Sequence, residues 1–271
     1  MNIKDDYLTK FLNDVYNKYG DDFVNYNYST IKRRIETHCI KLFIDDFDEY
    51  TQLILSNDDK FNEMFLHLSI NVTEFFREPE QLKLFRDKVV PYLNSYTHLK
   101  IWYAGSSSGE DPYSLAIILH EAGILNKCQI YATDFNNRVL SYAKEGLYEI
   151  KDFKNSYENY EKSGGTNAFK EYFIKKGRFH KIRSFLKEKI LFFNHNLATD
   201  GVVNEFQLII CKNVLIYFDD KLKQRVFKLF DDSLDCNGFL ILGGSEYLLE
   251  KYNDRYKLYI PKSKVFHKKC R

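Results

Sequence analysis

The first part of the chain places apolar residues at helical spacing and contains a single glycine, Gly20, in its first 95 residues. One stripe follows positions i, i+4, i+8, i+11 and i+12 and consists of Ile31, Ile35, Cys39, Leu42 and Phe43. This spacing predicts one helix, which Ser29 or Thr30 can cap. Further stripes run through Phe61, Phe65 and Leu68, and from Pro79 through Leu82, Phe85, Val89 and Val90. The pattern predicts an all-helical domain.

The pattern changes at about residue 99, where short β-rich runs alternate with helix-like stretches. The runs are LKIWYA, CQIYATD, KILFFN, FQLIICKN and GFLILGG. Alternation of this kind indicates βαβ units, and continuous apolar strands favour a mainly parallel sheet covered on both faces. The stretch 170–189 is basic and aromatic, which predicts a small inserted hairpin unit. We therefore expect an α/β fold for the second part of the chain.

Composition narrows the class of protein. Hydrophobic residues make up 44% of the chain and charged residues 29%, which argues against disorder. The net charge of +2 indicates no nucleic-acid partner. The chain begins without a signal-like apolar stretch, and no apolar run approaches the roughly 18 residues of a membrane span. The five scattered cysteines favour reduced thiols and no metal site, so we expect a soluble, cytoplasmic protein.

Candidate ligand-binding residues follow the first two predicted strands. Gly105 and Gly109 lie in the loop after LKIWYA and allow a tight turn. The loop matches neither the GxGxxG nor the P-loop pattern, and Glu110 with Asp111 would repel phosphate but suit an amine or a ribose. Asp134 ends the second strand, where a ribose is usually bound. Together these features point to S-adenosylmethionine (SAM), although Asp134 alone can be a helix N-cap.

Other polar residues occur at strand ends or at the junction of the two parts. Lys212, Asn213 and Tyr217 follow QLIIC and are candidates for the reacting centre. Asn196 and Leu197 follow KILFFNH and can contact an adenine. At the junction, Phe75 and Phe76 can close a crevice in which the guanidinium of Arg77 donates two parallel hydrogen bonds to a carboxylate. The structural alternatives are core packing for Tyr217 and an interdomain hinge with a surface salt bridge at the junction.

Five ordered motifs resemble the CheR-type chemotaxis receptor methyltransferases along nearly the whole chain: INVTEFFRE, LKIWYAGSSSGEDPYSLA, IYATDFNNRVLSYAKEGLY, HNL and LIICKNVLIYF. The resemblance implies a Rossmann-like class I SAM-dependent methyltransferase sheet. It also implies an N-terminal helical domain with linker over residues 1–95, a SAM-binding domain over 96–271, and an inserted antiparallel β-subdomain at about 168–192.

The family's activity is SAM-dependent methylation of receptor glutamates, which forms glutamyl methyl esters and S-adenosylhomocysteine. The resemblance implies that Arg77 and Tyr217 lie near the transferred methyl group. It implies SAM contacts at Asn71, Thr73, Arg77, Glu110, Asp111, Asp134, Asn196, Leu197, Lys212 and Asn213. Lys212 departs from the family pattern, which usually has Arg at this position. The inserted unit is also short around residues 175–178, which argues against tethering through a receptor's C-terminal pentapeptide.

The implied chemistry fits the residue types, because a glutamate carboxylate is ionised at neutral pH and needs no general base. The implied partner is the cytoplasmic region of methyl-accepting chemotaxis receptors, without membrane insertion by the enzyme. Basic residues can dock an acidic receptor, although a solvated charged face is the alternative. The docking candidates are Lys32, Arg33, Arg34, Lys41, Lys175, Lys176 and Arg178.

Two other functions compete with this interpretation. A SAM methyltransferase with another acceptor is one, but the D/N-P-P-Y/F-like turn typical of base N-methyltransferases is absent at Lys212–Leu215. The other is a non-catalytic SAM-binding sensor or adaptor, against which the presence of Arg77 and Tyr217 argues.

Overall fold

The structure is a computed structural model that describes residues 3–20, 23–68, 73–149 and 153–270. Contacts divide the chain into two compact units. The first contains residues 1–70 and 215–226, and the second contains residues 71–214 and 227–271. Each unit has its own cluster of buried hydrophobic side chains.

Four helices form most of the first unit: α1 (Asp5–Tyr19), α2 (Tyr28–Leu42), α3 (Phe47–Ser56) and α4 (Asp58–Leu68). Their apolar stripes meet in one core that includes Leu8, Phe11, Ile35, Cys39, Tyr50, Ile54 and Met64. The returning segment 215–226 is tied to this unit by an antiparallel bridge between Tyr26 and Phe218. The predicted all-helical fold of this part is confirmed.

Helix α2 corrects two details of the sequence prediction. Its N-cap is Asn27, whose side chain accepts the Thr30 N–H, rather than Ser29 or Thr30. Phe43 is not part of the buried stripe, because the helix ends before it. Its φ is +58°, and 95% of its surface is exposed.

The second unit contains helices and strands in alternation. Its helices are α5 (Pro79–Leu84), α6 (Val90–Leu93), α7 (Glu110–Glu121), α8 (Asn137–Glu145), α9 (Lys154–Lys162), α10 (Ser184–Lys187) and α11 (Asp220–Ser233), the last of which begins in the first unit. Its strands are β1 (Leu99–Ala104), β2 (Cys128–Asp134), β3 (Leu147–Glu149), β4 (Phe173–Lys176), β5 (Phe179–Ile182), β6 (Ile190–Asn194), β7 (Phe206–Cys211), β8 (Leu234–Leu242), β9 (Tyr256–Ile260) and β10 (Val265–Lys268).

Seven strands form the main sheet in the order β6-β2-β1-β7-β8-β10-β9. The first five strands of this order are parallel, and β10 is antiparallel to both β8 and β9. The predicted α/β fold is therefore confirmed. Because β2 and β7 lie on opposite sides of β1, the strand order reverses there, and a ligand crevice is expected at the carboxyl ends of β1 and β7.

A second, three-stranded antiparallel sheet has the order β3-β5-β4. Strands β4 and β5 form the hairpin that the basic and aromatic stretch predicts. The third strand, β3, lies outside the expected range 168–192, because its three residues are too few to give a readable pattern.

The segment between residues 79 and 93 packs with the sheet. A π-helical turn, Phe85–Val89, joins α5 to α6. Phe85, Val89 and Leu93 belong to the same buried cluster as the strands of the main sheet. The contact-based division therefore falls at residues 70 and 71, whereas the sequence predicts a domain boundary at residue 95.

Two cysteines contradict the expectation of five reduced thiols. Cys236 and Cys270 form a disulfide, with Cα atoms 5.2 Å apart. The antiparallel register of β8 and β10 pairs Phe239 with His267, and three further residues along each chain bring Cys236 opposite Cys270. Sequence spacing could not indicate this pairing, because 34 residues separate the two cysteines. Cys39, Cys128 and Cys211 are free and buried.

Within the described ranges, no helix combines the length and the apolar character needed to cross a membrane.

Candidate active site

The loop after β1 bends sharply at two glycines. Gly105 has φ +78° and Gly109 has φ +97°, a conformation that side chains rarely adopt. A Cβ atom on Gly105 would lie 2.4 Å from Cγ2 of Val214, so the loop approaches the chain after β7 closely. The N–H groups of Gly105 and Ser106 both donate to the carbonyl of Thr133, each at 2.8 Å. The turn is thus fixed between the ends of β1, β2 and β7.

Asp134 lies at the end of β2 and is 8% exposed. One carboxylate oxygen accepts the Ser107 N–H at 2.9 Å, and the other accepts the Asn136 N–H at 3.0 Å. Burial raises the pKa of this carboxyl, against the effect of the backbone donors. Asp134 is not the N-cap of α8, because the Asn136 side chain accepts the N–H groups at the start of that helix. Since each oxygen can accept more than one hydrogen bond, both can still bind hydroxyl groups.

Three buried polar atoms in the segments after β1 and β7 have no hydrogen-bond partner among the described residues: Ser106 Oγ, Ser107 Oγ and Asn213 Oδ1. Thr73 Oγ1, in the segment before Arg77, is also buried without a partner among these residues. Buried polar groups are nearly always hydrogen-bonded, so the unpartnered atoms at the two strand ends indicate a place for a polar ligand. The carboxylate of Asp134 and these atoms fit the ribose and amino-acid groups of SAM.

The two acids at the start of α7 have different surroundings. Glu110 accepts the Ser108 hydroxyl at 2.7 Å. Asp111 is hydrogen-bonded to the Tyr103 hydroxyl, and burial raises the pKa of its carboxyl. The nearby positive charges of Lys212 and Arg77 act in the opposite direction. The charges of Lys212 and Arg77 thus act on the Asp111 carboxyl.

The segment before Arg77 is anchored by aromatic packing. The Phe75 ring contacts Tyr148, Phe153, Phe169 and Phe173, with centroids 4.9–5.8 Å apart, and the Phe76 ring contacts Tyr160 and Phe169. Both rings are buried among residues of and beside the three-stranded sheet. That they close a crevice beside Arg77 stays a prediction. Asn71, the first expected SAM contact of this segment, lies outside the described residues.

Lys212 follows β7 and points into this region. Its Nζ donates to the backbone carbonyl of Arg77 at 3.0 Å and lies 3.4 Å from Oε2 of Glu78. Only 2% of the Lys212 side chain is exposed. The salt bridge is therefore buried at its lysine end.

Asn196 and Leu197 follow β6. The amide oxygen of Asn196 accepts the Ala198 N–H at 2.9 Å, which leaves its NH₂ group to donate to a ligand. Leu197 is buried.

Tyr217 belongs to the first compact unit, whereas Arg77 belongs to the second. Tyr217 lies in the 3₁₀ turn Leu215–Tyr217, and its carbonyl accepts the Asn27 N–H at 2.7 Å. Its role beside the transferred methyl group stays a prediction.

Most of the basic docking candidates on α2 are bound within the first unit. Lys32 pairs with Asp5 at 2.9 Å, and Lys41 pairs with Glu63 at 3.0 Å. Arg34 donates to the carbonyl of His67. Arg33 is exposed, as are Lys175, Lys176 and Arg178 in the second unit.

Sequence reasoning missed two carboxylates. Glu246 is 3% exposed, and its oxygens accept the N–H groups of Asn213, Val214 and Gly243 at 2.7–3.1 Å. Glu78 accepts the Gly244 N–H at 3.1 Å. The available signal for Glu246 was its place directly after the Gly243–Ser245 turn that ends β8. No pattern indicated Glu78.

Comparison with known proteins gives the family. The sequence model described as CheR methyltransferase, SAM binding domain, matches residues 71–264, and the one described as CheR methyltransferase, all-alpha domain, matches residues 6–69. A Pseudomonas putida protein named methyltransferase Cher3 is 38% identical over 260 residues, 94% of this chain and 93% of that protein. A Listeria innocua protein named chemotaxis protein methyltransferase is 33% identical over 91% of this chain and 92% of its own length. The chain therefore belongs to the CheR methyltransferase family and is a SAM-dependent methyltransferase.

Proposed function

We propose that this protein transfers the methyl group of SAM to glutamate side chains in the cytoplasmic region of chemotaxis receptors. The observation that carries the proposal is the set of buried, unpartnered polar atoms at the ends of β1 and β7, which are Ser106 Oγ, Ser107 Oγ and Asn213 Oδ1. The acceptor is inferred from relatives named chemotaxis protein methyltransferase, which match nearly the full chain.

The second unit offers a partner for each part of SAM. We assign the ribose hydroxyls to Asp134, and the adenine to the NH₂ group of Asn196 and the side chain of Leu197. The amino-acid end is assigned to Thr73, Arg77, Asn213 and the acids Glu110 and Asp111, whose negative charge suits the ammonium group. The serine hydroxyls of Ser106 and Ser107 add further donors.

Bound SAM supplies an electrophilic methyl group on a positively charged sulfur. The acceptor carboxylate is ionised at neutral pH, since the pKa of glutamate is about 4.3, so the protein needs no general base. Its residues have to align the carboxylate with the methyl group and exclude water. We assign orientation of the carboxylate to the guanidinium of Arg77 and a hydrogen bond near the reacting atoms to Tyr217.

The test combines the full chain, methyl-labelled SAM and receptor-containing membranes, followed by treatment with alkali. A glutamyl methyl ester releases volatile labelled methanol, so release from a receptor-sized band is the expected result. The same membranes without receptors are the control and should release none.

Two other outcomes would contradict the proposal. Alkali-stable label on another molecule would indicate a different acceptor and N-, S- or ether O-methylation. SAM binding measured by calorimetry, without any transfer, would favour a sensor or adaptor.

A further inference from the structure

The backbone on both sides of Arg77 has an unfavourable conformation. Phe76 and Glu78 have φ +57°, in the left-handed region that non-glycine residues rarely occupy. Such a conformation persists only where surrounding contacts impose it, and it is concentrated at functional sites. The contacts that impose it here therefore bear on how Arg77 is positioned.

Polar contacts hold three successive residues of this segment. The Phe76 N–H donates to Ser114 Oγ at 2.9 Å, and the Arg77 carbonyl accepts from Lys212 Nζ at 3.0 Å. The Glu78 carboxylate accepts the Gly244 N–H with Oε1 and pairs with Lys212 through Oε2. Lys212 and Glu78 thus fasten the segment to the ends of β7 and β8.

The two strand ends are themselves fixed to each other. The buried Glu246 carboxylate accepts N–H groups from Asn213 and Val214 after β7 and from Gly243 after β8. A Cβ atom on Gly243 would lie 2.9 Å from both Asn213 N and Glu246 Oε2, so only glycine allows this close approach. The backbone positions of Lys212 and Gly244 are therefore fixed relative to each other.

We infer that Lys212 and Glu78 are positioning residues that act on catalysis through Arg77. The positive charge of Lys212 is satisfied by the Arg77 carbonyl and the Glu78 carboxylate, rather than being reserved for SAM. A buried ion pair contributes little net stability because desolvation offsets its attraction, which favours a role in specifying geometry. The inference rests on the proposed role of Arg77.

The first test compares Lys212→Met, Glu78→Gln and the double variant in the full chain. Because both residues hold the same segment, each single variant should lower kcat/KM by about 10-fold to 100-fold, the scale of a small misplacement at a reacting centre. The double variant should be no worse than the worse single variant. Independent, multiplying effects would overturn the inference. Lys228→Met, which removes an exposed pair with Asp232, is the matched control.

The second test asks whether Lys212 acts through Arg77. In an Arg77→Ala background, Lys212→Met should change neither kcat/KM nor the calorimetric SAM affinity by more than about 3-fold, below the size of a lost charged hydrogen bond. A loss of SAM affinity of the same size with and without Arg77 would show direct contact of Lys212 with SAM and overturn the inference.

A third measurement does not depend on which molecule accepts the methyl group. Hydrogen exchange of the Gly244 amide should become faster in Lys212→Met, because the Glu78 carboxylate loses its cationic partner and moves into solvent. Lys212→Arg should restore the protection of this amide. Unchanged exchange in Lys212→Met would overturn the inference. If the wild-type protein does not methylate receptors, the proposed function fails, while Gly244 exchange and SAM affinity still decide the role of Lys212.

Discussion

At the scale of single residues, Asp134 and Lys212 differ in how much their sequence position reveals. Asp134 ends a strand that faces the crevice, so its place could be predicted from the βα pattern alone. Lys212 directly follows a strand, but its ammonium group contacts the Arg77 carbonyl and the Glu78 carboxylate. The sequence could not indicate this, because residues 135 positions apart meet only in the folded chain.

Asp134→Asn should weaken SAM binding. The amide NH₂ group would face one of the two backbone N–H donors that the carboxylate now accepts, and one acceptor for the ribose would be lost. Loss of a charged hydrogen bond costs roughly 1.5–3 kcal/mol, so we expect the Kd to rise about 10-fold to 100-fold. Calorimetry with SAM measures this. Asp232→Asn, an exposed change, is the control, and equal affinities in wild type and Asp134→Asn would refute the assignment.

At the scale of elements, Glu121 links helix α7 to the segment that carries α9 and the three-stranded sheet. It accepts hydrogen bonds from the hydroxyls of Tyr160 and Tyr172 and from Arg86 at 2.6 Å. Burial alone would raise the pKa of the Glu121 carboxyl, but these donors outweigh it and the pKa is lowered. An inserted hairpin could be predicted from its basic and aromatic composition, whereas this attachment depends on side chains from three separate segments.

Arg86→Met should destabilise the protein, because it leaves the buried Glu121 carboxylate without its charged partner. Breaking a buried pair costs about 3 kcal/mol or more. The loss should appear as a lower urea midpoint of unfolding. Lys162→Met, which removes an exposed pair with Glu158 at 3.6 Å, should change the free energy of unfolding by less than about 0.5 kcal/mol. Similar effects of the two substitutions would contradict the structural role of the buried pair.

Helix α2 carries a buried histidine whose titration should affect stability. Burial and the neighbouring His67 lower the pKa of His38 to about 4, while its Nδ1 is 2.9 Å from the Tyr50 hydroxyl. Between pH 6.5 and 4 the unfolded chain binds a proton at His38 that the folded chain does not. Stability should therefore fall as pH falls through this window, by at most about 1.4 kcal/mol per pH unit from His38.

Urea unfolding at pH 7, 6 and 5 measures this dependence. His38→Gln keeps an acceptor for Tyr50 but cannot titrate, so its pH slope should be smaller, with a remainder from His67, whose pKa is also lowered. An identical slope in both proteins would rule out His38 as the cause.

At the scale of the whole molecule, charge is nearly balanced, with 40 Lys and Arg residues against 38 Asp and Glu residues. Arg33 is exposed on α2, while Lys32, Arg34 and Lys41 contact residues of their own unit. The sequence predicts four basic docking candidates on this helix without ranking them. The side-chain contacts in the folded unit distinguish Arg33 from the other three.

Arg33→Glu should slow receptor methylation without changing SAM affinity, because it reverses charge on a face that would meet an acidic receptor. We expect kcat/KM for receptors to fall several-fold at low salt and the difference to shrink as ionic strength rises. Lys223→Glu, on α11, is the control for a general effect of added negative charge. Rates that are the same for wild type and Arg33→Glu at every salt concentration would remove Arg33 from the docking surface.

The sequence by itself determined the helical first part, the α/β second part and the strand ends at which Asp134, Asn213 and the glycine loop lie. These follow from local periodicity and from the general geometry of parallel sheets, which short segments encode. Only the tertiary structure decided the partners of Lys212, the roles of Glu78 and Glu246, the burial of Phe75 and Phe76, and the pairing of Cys236 with Cys270. Each of these depends on residues distant in the chain, whose meeting is set by strand order and register rather than by any local pattern.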